Sequence, residues 1–288
     1  MTLLLQTIIN GLLLGGIYVV IAMGLSLIFG VTHEINLAHG EFVMLGGFTS
    51  YWLYAFLNFN PYFSCILIFL FFAALGYILQ KYIVNKVVEA PLIISLVLLF
   101  GLSLLLRNGA LYVWSADRRS VTTAFSGQYL SFWNVNISLT RVIALCMGIV
   151  CVIALLLFLG KTKTGKAIKA TAQDSEAAKL LGIDTLKIYN LTFAIGIGLA
   201  ALSGGLLSSI IAIHPTMGIS YTLYAFFVVV IGGLGYMPGV LAGGLILGLM
   251  QSFITIYIGT RYTFLLSFLG LYFILVFRPR GIFGKGSS

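Results

Sequence analysis

The chain has 288 residues, of which 60% are hydrophobic and 8% are charged, and its formal net charge is +9. A soluble domain carries roughly a quarter charged residues, so this composition excludes a water-soluble globular protein and predicts an integral membrane protein. The basic excess does not indicate nucleic-acid binding, because the lysines and arginines lie in loops between apolar runs, where membrane topology accounts for them.

Nine apolar runs predict helices, because a backbone in lipid must satisfy its hydrogen bonds within its own segment. They cover residues 3–29, 41–58, 62–82, 91–106, 138–159, 188–213, 220–234, 239–258 and 263–277. The fourth and seventh runs are short for a full crossing, and Gly and Pro interrupt others. We therefore predict an all-α, polytopic transmembrane helical bundle of about 8–9 spans, with discontinuous helices allowed, in a single domain over residues 1–288.

Polar residues stand where the first apolar run gives way to the second, in the sequence N-L-A-H-G-E from Asn36 to Glu41. Asn36 and His39 can satisfy exposed backbone groups and Gly40 permits a tight break, so we expect a discontinuous helix near a translocation path. One alternative is a solvated surface loop. Another is a metal site using His33, His39 and Glu41, but no further ligand stands at a suitable spacing.

The loop of residues 160–187 is the most informative stretch of the chain. It holds six lysines, and the basic C-terminal tail follows it by four predicted crossings, so both are expected in the cytoplasm. Within the loop, Gly165 to Ile183 predicts a short amphipathic helix with an alanine-rich surface, ended by Gly182 at its C-terminus. Such a surface permits close approach by another protein. The alternative is that the loop is an ordinary charged connector between two membrane helices. The residues expected at this contact are Gly165, Lys166, Ala170, Asp174, Glu176, Ala177, Ala178 and Gly182.

Two glycine-containing segments imitate nucleotide-binding loops. G-G-L-G-Y-M-P-G lacks the preceding strand of a dinucleotide fingerprint and fits a tight turn with close helix approach. G-K-T-K-T-G-K-A, from Gly160 to Ala167, falls one residue short of the P-loop pattern and has no hydroxyl for magnesium. We therefore expect no nucleotide site, and no catalytic constellation is evident. The glycines expected in the tight turn are Gly232, Gly233, Gly235 and Gly239.

Four segments together resemble the permease subunits of the branched-chain amino acid ABC importer family. The pattern E-A-A-x-x-x-G, from Glu176 to Gly182, is similar to the coupling loop of ABC importer permeases, whose short helix docks on the ATPase subunit. The N-x-A-H-G-E segment, the glycine turn and the tail R-P-R-G-I-F-G from Arg278 to Gly284 are similar to those of the same family. The four segments follow one another in the family's order.

This resemblance implies a permease subunit in the inner (plasma) membrane with its C-terminus and the 160–187 coupling loop in the cytoplasm. It implies two cytoplasmic ATPase subunits, a second related permease, an external substrate-binding protein and membrane lipid as partners, and no nucleic acid. No cofactor is expected on this chain, since ATP is used by the partner subunits. The implied substrates are branched-chain or other amino acids, with amides and urea in some relatives. An ion-gradient-driven secondary transporter is the alternative, and a membrane scaffold is a third class.

Overall fold

A computed structural model describes residues 2–88, 90–132, 135–278 and 281–282, and these residues form a helical bundle with one small hairpin. The hairpin consists of β1 (Tyr129–Phe132) and β2 (Val135–Ser138). The helices are α1 (Thr2–Thr32), α2 (His39–Leu57), α3 (Pro61–Tyr82), α4 (Leu92–Trp114), α5 (Leu139–Lys161), α6 (Lys163–Gln173), α7 (Ser175–Leu180), α8 (Thr185–Ser208), α9 (Met217–Gly232), α10 (Met237–Tyr257) and α11 (Thr263–Phe277).

The structure confirms the polytopic helical bundle, because each predicted run corresponds to one helix among α1–α5 and α8–α11. Seven described helices are long and apolar enough to cross a membrane, and α9 is a shorter apolar helix. Two predicted boundaries are wrong. Helix α4 continues past residue 106 to Trp114, and α8 ends at Ser208 instead of residue 213. The Ser208 and Ser209 hydroxyls donate to carbonyls one turn earlier, and such bonds compete with helix continuation.

The bundle has two ends, which we name by the elements found there. The hairpin end carries β1 and β2, an antiparallel pair that lies against the start of α1. The Gln6 side chain donates to the Asn136 carbonyl at 2.8 Å and accepts from the Asn136 amide at 2.9 Å. The α6–α7 end carries the two short helices that join α5 to α8.

Helices α1 and α8 cross in the centre of the bundle at two glycines. A Cβ atom on Gly24 would lie 2.5 Å from the Gly196 carbonyl oxygen, and one on Gly196 would lie 2.7 Å from the Gly24 carbonyl oxygen. The two backbones therefore touch directly, as small residues allow at helix crossings in membranes. Both helices are buried along most of their length.

The four helices α1–α4 and the four helices α8–α11 have the same order and opposite directions. Helix α1 runs from the hairpin end to the α6–α7 end, and α8 runs the other way. Helix α10 packs along α1 just as α3 packs along α8. Such an inverted repeat is a common plan of transporters, which place the substrate site near the interface of the two repeats.

The peripheral helices leave broad apolar faces uncovered. Helices α4, α5 and α11 are mostly exposed in this chain, with side chains such as Leu105, Val150 and Leu265 more than half exposed. Apolar surface of this extent fits lipid or another membrane subunit and does not fit water.

The α6–α7 end corrects one prediction, since the single helix expected between Gly165 and Ile183 is two helices. Asp174 separates them because its backbone is extended, with φ −157° and ψ 109°. Its carboxylate accepts hydrogen bonds from the Glu176 and Ala177 amides, both at 2.9 Å, and thereby caps the N-terminus of α7.

Helix α7 ends in a Schellman motif built on Gly182. This glycine has φ +82°, a conformation that L side chains rarely adopt. Its amide donates to the Lys179 carbonyl, and the Ile183 amide donates to the Ala178 carbonyl. The chain therefore leaves α7 at a defined angle and enters α8 three residues later.

Candidate translocation and coupling sites

The segment after α1 turns back into the bundle before α2 begins. His39 Nε2 donates to the carbonyl oxygen of Ile21 at 2.9 Å. Ile21 lies 11 residues before Thr32, the last residue of α1, so α2 starts about 17 Å inside the bundle from that end. His39, Asn36 and Glu41 are fully buried, which does not fit the alternative of a solvated loop.

Asn36 shapes the turn that leads into α2. Its side-chain oxygen accepts from the Ala38 amide at 3.0 Å, and its backbone carbonyl accepts from the His39 amide at 3.3 Å. The Asn36 side-chain nitrogen and His39 Nδ1 are buried and have no hydrogen-bond partner. Buried polar atoms are normally paired, so these two call for a functional explanation.

Helix α9 also begins near the bundle centre, against the first turn of α2. The Gly40 amide donates to Thr222 Oγ1 of α9 at 2.9 Å, and that hydroxyl donates to the Leu37 carbonyl at 3.3 Å. The Glu41 side chain packs against Gly218 and fills the space that a side chain at position 218 would need. Two helix N-termini, each with a positive dipole end, therefore meet at the centre.

Glu41 links this centre to helix α4. Ser103 Oγ donates to Glu41 Oε1 at 3.1 Å, while Glu41 Oε2 is buried without a partner. Arg107, one turn further along α4, attracts Glu41 electrostatically. Sequence reasoning missed Ser103 and Arg107, although the available signal was an arginine inside an apolar helix, which marks a functional residue by default.

The glycine-rich segment joins α9 to α10 at the α6–α7 end. Gly232 and Gly239 lie in backbone contact, and a Cβ atom on Gly239 would overlap the Gly232 carbonyl. Gly233 has φ +89° and Gly235 has φ +75°, so both sit where a side chain would strain the backbone. The segment follows a helix and not a strand, and Gly235 packs on Gly30 of α1.

The expected coupling residues divide into a packed set and an exposed set. Gly165 is buried against the backbone of α5, Ala170 is half-buried, and Ala178 is 2% exposed, so these three do not form a free surface. Lys166 and Asp174 are exposed on the α6 side. We call the exposed set on α7 and its C-terminus the α7 surface; its members are Glu176, Ala177, Leu180, Leu181 and Gly182.

Two leucines dominate the α7 surface. Leu180 is 90% exposed and Leu181 is 81% exposed, although each carries a large apolar side chain. Sequence reasoning missed Leu180 and placed the surface on the alanines. The signal was the pair L-L just before the helix-ending glycine, because two adjacent leucines cannot both face one side of a short helix.

The structure does not group metal ligands. Within residues 2–88, 90–132, 135–278 and 281–282, no cluster of three or more His, Cys, Asp and Glu side chains could hold a metal ion. His33 is exposed at the end of α1, whereas His39 lies deep in the bundle.

Comparison with known proteins agrees along nearly the whole chain. The family profile described as "Branched-chain amino acid transport system / permease component" matches residues 7–276. The high-affinity branched-chain amino acid transport system permease protein LivH of Salmonella typhimurium is 31% identical over 98% of this chain and 96% of its own length. The Pseudomonas aeruginosa permease BraD is also 31% identical with the same coverage. The ribose import permease RbsC of Haemophilus influenzae is 31% identical over 47% of this chain. No solved structure gives a significant match.

Proposed function

Because the chain belongs to the family of branched-chain amino acid transport permeases, we propose that it is the membrane subunit of an ATP-binding cassette importer for such amino acids. The proposal places it in the inner membrane as a multi-pass protein that forms half of a channel with a second related permease. It includes two cytoplasmic ATPases and an external substrate-binding protein. The names of the full-length relatives and the inverted helical repeat support this assignment.

The α7 surface is the single observation that carries the coupling role. It lies outside the long membrane helices, and its two leucines are almost fully exposed. An apolar pair on a short, capped helix at the end of the bundle is typical of a protein contact. We assign that contact to the ATPase, which supplies the ATP chemistry. The P-loop-like segment of this chain spans the helical junction of α5 and α6 and does not follow a strand, which supports placing the nucleotide site on the partner.

The distribution of basic residues supports a cytoplasmic position for the α6–α7 end. Six lysines lie between residues 160 and 187, and Lys81, Lys86 and Arg278 lie at the same end of their helices. Short loops rich in Lys and Arg stay in the cytoplasm. The C-terminus would then be cytoplasmic too. Most of the R-P-R-G-I-F-G tail, including residues 279, 280, 283 and 284, lies outside the described residues.

The junction of α7 and α8 suits the transfer of motion. Asp184 caps α8 by accepting from the Lys187 amide at 3.1 Å, and the Lys187 ammonium lies 2.9 Å from its carboxylate. These contacts from Lys187 hold the pKa of Asp184 below its usual range, so the carboxylate is charged at neutral pH. A push on α7 is thereby passed to α8, which runs through the bundle centre, as alternating access requires.

Substitution of Ala177 by glutamate tests the coupling role. Ala177 is exposed, so Ala177→Glu leaves the bundle folded but places a charge on the α7 surface. We expect loss of ATPase co-purification and of ATP-driven uptake, with an unchanged size-exclusion profile. Ala124→Glu, an exposed alanine near the hairpin end, is the matched control. Normal ATPase co-purification and uptake by Ala177→Glu would overturn the proposal.

Reconstitution of the purified chain alone separates this function from a secondary transporter. The chain in vesicles without partners is expected to show no uptake under a proton or sodium gradient. Gradient-driven uptake by the isolated chain would contradict the importer assignment. Co-purification in mild detergent would show which permease completes the channel.

A further inference from the structure

Arg107 lies on the face of α4 that packs toward α2. The buried residues of α4 are Ser95, Leu99, Ser103 and Ala110, which share one helix face. Arg107 follows Ser103 by one turn and precedes Ala110 by one turn, so it belongs to the same face and is half-buried. It therefore does not point at lipid.

This part of α4 is far from both ends of the helix. Ser103 lies 11 residues after Leu92, the first residue of a 23-residue helix, so it is close to the helix midpoint. Arg107 is about 6 Å nearer to the hairpin end. It is still 7 residues before Trp114, whose ring stacks on Phe48 of α2 at 4.4 Å. An arginine at such a depth in an apolar helix has a substantial free-energy cost and is rarely kept without a role.

Glu41 and Arg107 attract each other but do not form a direct ion pair. Arg107 lies one helical turn from Ser103, whose hydroxyl donates to Glu41 Oε1 at 3.1 Å, so both charged residues lie at the seam between α2 and α4, while Glu41 Oε2 is buried without a hydrogen-bond partner. Lys187 and Asp184 do form an ion pair at close range, but they lie at the start of α8, far from this seam. Because Glu41 and Arg107 do not pair directly, the carboxylate can accept and the guanidinium can donate hydrogen bonds to a ligand that lies between them.

From this geometry we propose that Glu41 and Arg107 together bind the charged backbone of an α-amino acid during its passage. The carboxylate of Glu41 accepts from the substrate ammonium group, and the guanidinium of Arg107 donates to the substrate carboxylate through its two-pronged edge. In an α-amino acid the ammonium and carboxylate groups are bonded to the same carbon atom, so the molecule can bridge the two side chains and neutralise both charges. The proposal rests on the importer function given above.

The surrounding elements suit this ligand. The N-termini of α2 and α9 meet beside Glu41 and place positive dipole ends at the centre, which favours a carboxylate nearby. In the described conformation Glu41 is packed between Gly218 and Ser103, so the seam is closed. Because α4 is the less covered wall of this seam, its separation from α2 is the movement that would admit the substrate.

The contact between α9 and α11, the corresponding helices of the other repeat, is aromatic. There α9 meets α11 through the rings of Tyr224, Phe264 and Phe268, with centroid distances of 4.7 to 6.5 Å. An apolar aromatic cluster cannot neutralise a zwitterion.

The test uses the complete importer in proteoliposomes, with L-leucine as the probe. For Arg107→Gln we expect ATP-driven uptake to fall about tenfold or more, the size expected when a charge-assisted bidentate contact is lost. ATPase co-purification and basal ATP hydrolysis should stay within about twofold. Arg107→Lys keeps the positive charge but loses the bidentate guanidinium edge, so its uptake should lie between that of Arg107→Gln and that of the unmodified protein. Asn108→Leu, the next residue on the exposed face, is the matched control.

A double variant separates substrate binding from a purely structural pair. If Glu41 and Arg107 serve only each other, Glu41→Gln/Arg107→Gln should restore uptake relative to either single change. Our proposal expects the double variant to transport no better than either single variant. Restored uptake in the double variant, or uptake within about twofold of the unmodified protein for Arg107→Gln, would overturn it.

The remaining outcomes also decide the question. If the glutamine variants fail to assemble, the Arg107→Lys variant supports the proposal by a raised KM for uptake and contradicts it by an unchanged KM. Absence of ATP-driven uptake by the unmodified complex would instead refute the importer function itself, so the two failures are distinguishable.

Discussion

Truncation of Leu180 tests whether the α7 surface binds the ATPase. The side chain is 90% exposed in this chain, so Leu180→Ala has little to disturb in the fold. If the partner buries it fully, the change removes three apolar carbon groups, one methine and two methyls, from the contact. At about 0.8 kcal/mol for each group, and allowing for the part already covered, the loss is about 2 kcal/mol.

A free-energy loss of this size corresponds to binding weakened by roughly 30-fold. The purified permease in detergent is titrated with the purified ATPase, and the equilibrium dissociation constant of the complex is determined. Leu105→Ala is the control, because Leu105 is 68% exposed on α4 within the membrane span. The melting temperature of both variants should equal that of the unmodified protein.

An ATPase affinity of Leu180→Ala within about twofold of that of the unmodified chain, and equal to that of Leu105→Ala, would contradict a role of Leu180 in docking. A lower melting temperature for Leu180→Ala would also refute it, since the side chain would then contribute to folding and not to docking.

Three further predictions concern the centre and the junctions. Asn36→Leu leaves the Ala38 amide unpaired at a cost of about 1–3 kcal/mol and should reduce uptake without preventing assembly; normal uptake would contradict this. Gly204→Leu forces a side chain into the α2 backbone and should lower the melting temperature, whereas Gly101→Leu, with open space around it, should not. Asp184→Ala should weaken amide protection at the start of α8 near pH 7. Because the pKa of Asp184 is lowered from 3.8, the difference should vanish as the pH falls through the folded-state pKa.

The helical bundle could be predicted from sequence because long apolar runs have one solution in lipid. The boundaries failed where polar residues occur inside a helix. Arg107 and Asn108 ended the predicted fourth run, yet the helix continues, and the Asn108 side chain donates to the Leu104 carbonyl within the same helix. Hydropathy indicates whether a side chain prefers lipid or water, and it does not show whether the backbone stays helical at that residue.

The inverted repeat could not be predicted because it depends on pairing between distant segments. Gly24 and Gly196 meet at the crossing of α1 and α8, but 172 positions separate them and nothing local links them. The polar segment at Asn36 was predicted as a helix break, whereas its depth follows only from the bond between His39 and Ile21.

The division of α6 and α7 depends on one side chain. The residues around Asp174 in sequence are compatible with one continuous helix. In the structure its carboxylate caps the first turn of α7, and its extended backbone interrupts the helix. Ser, Thr, Asp and Asn compete with the backbone in this way, so single acidic residues inside short helices leave two outcomes open to sequence reasoning.

The contact of Gly24 with Gly196 makes α8 a two-armed lever. Gly196 lies 11 residues from Thr185 and 12 from Ser208, which gives arms of about 17 Å and 18 Å. No side chain separates the two backbones at this point, so it lies closest to the axis about which α8 could tilt against α1. Because the two arms are of nearly equal length, a tilt of α8 about this contact would move its two ends by similar distances in opposite directions.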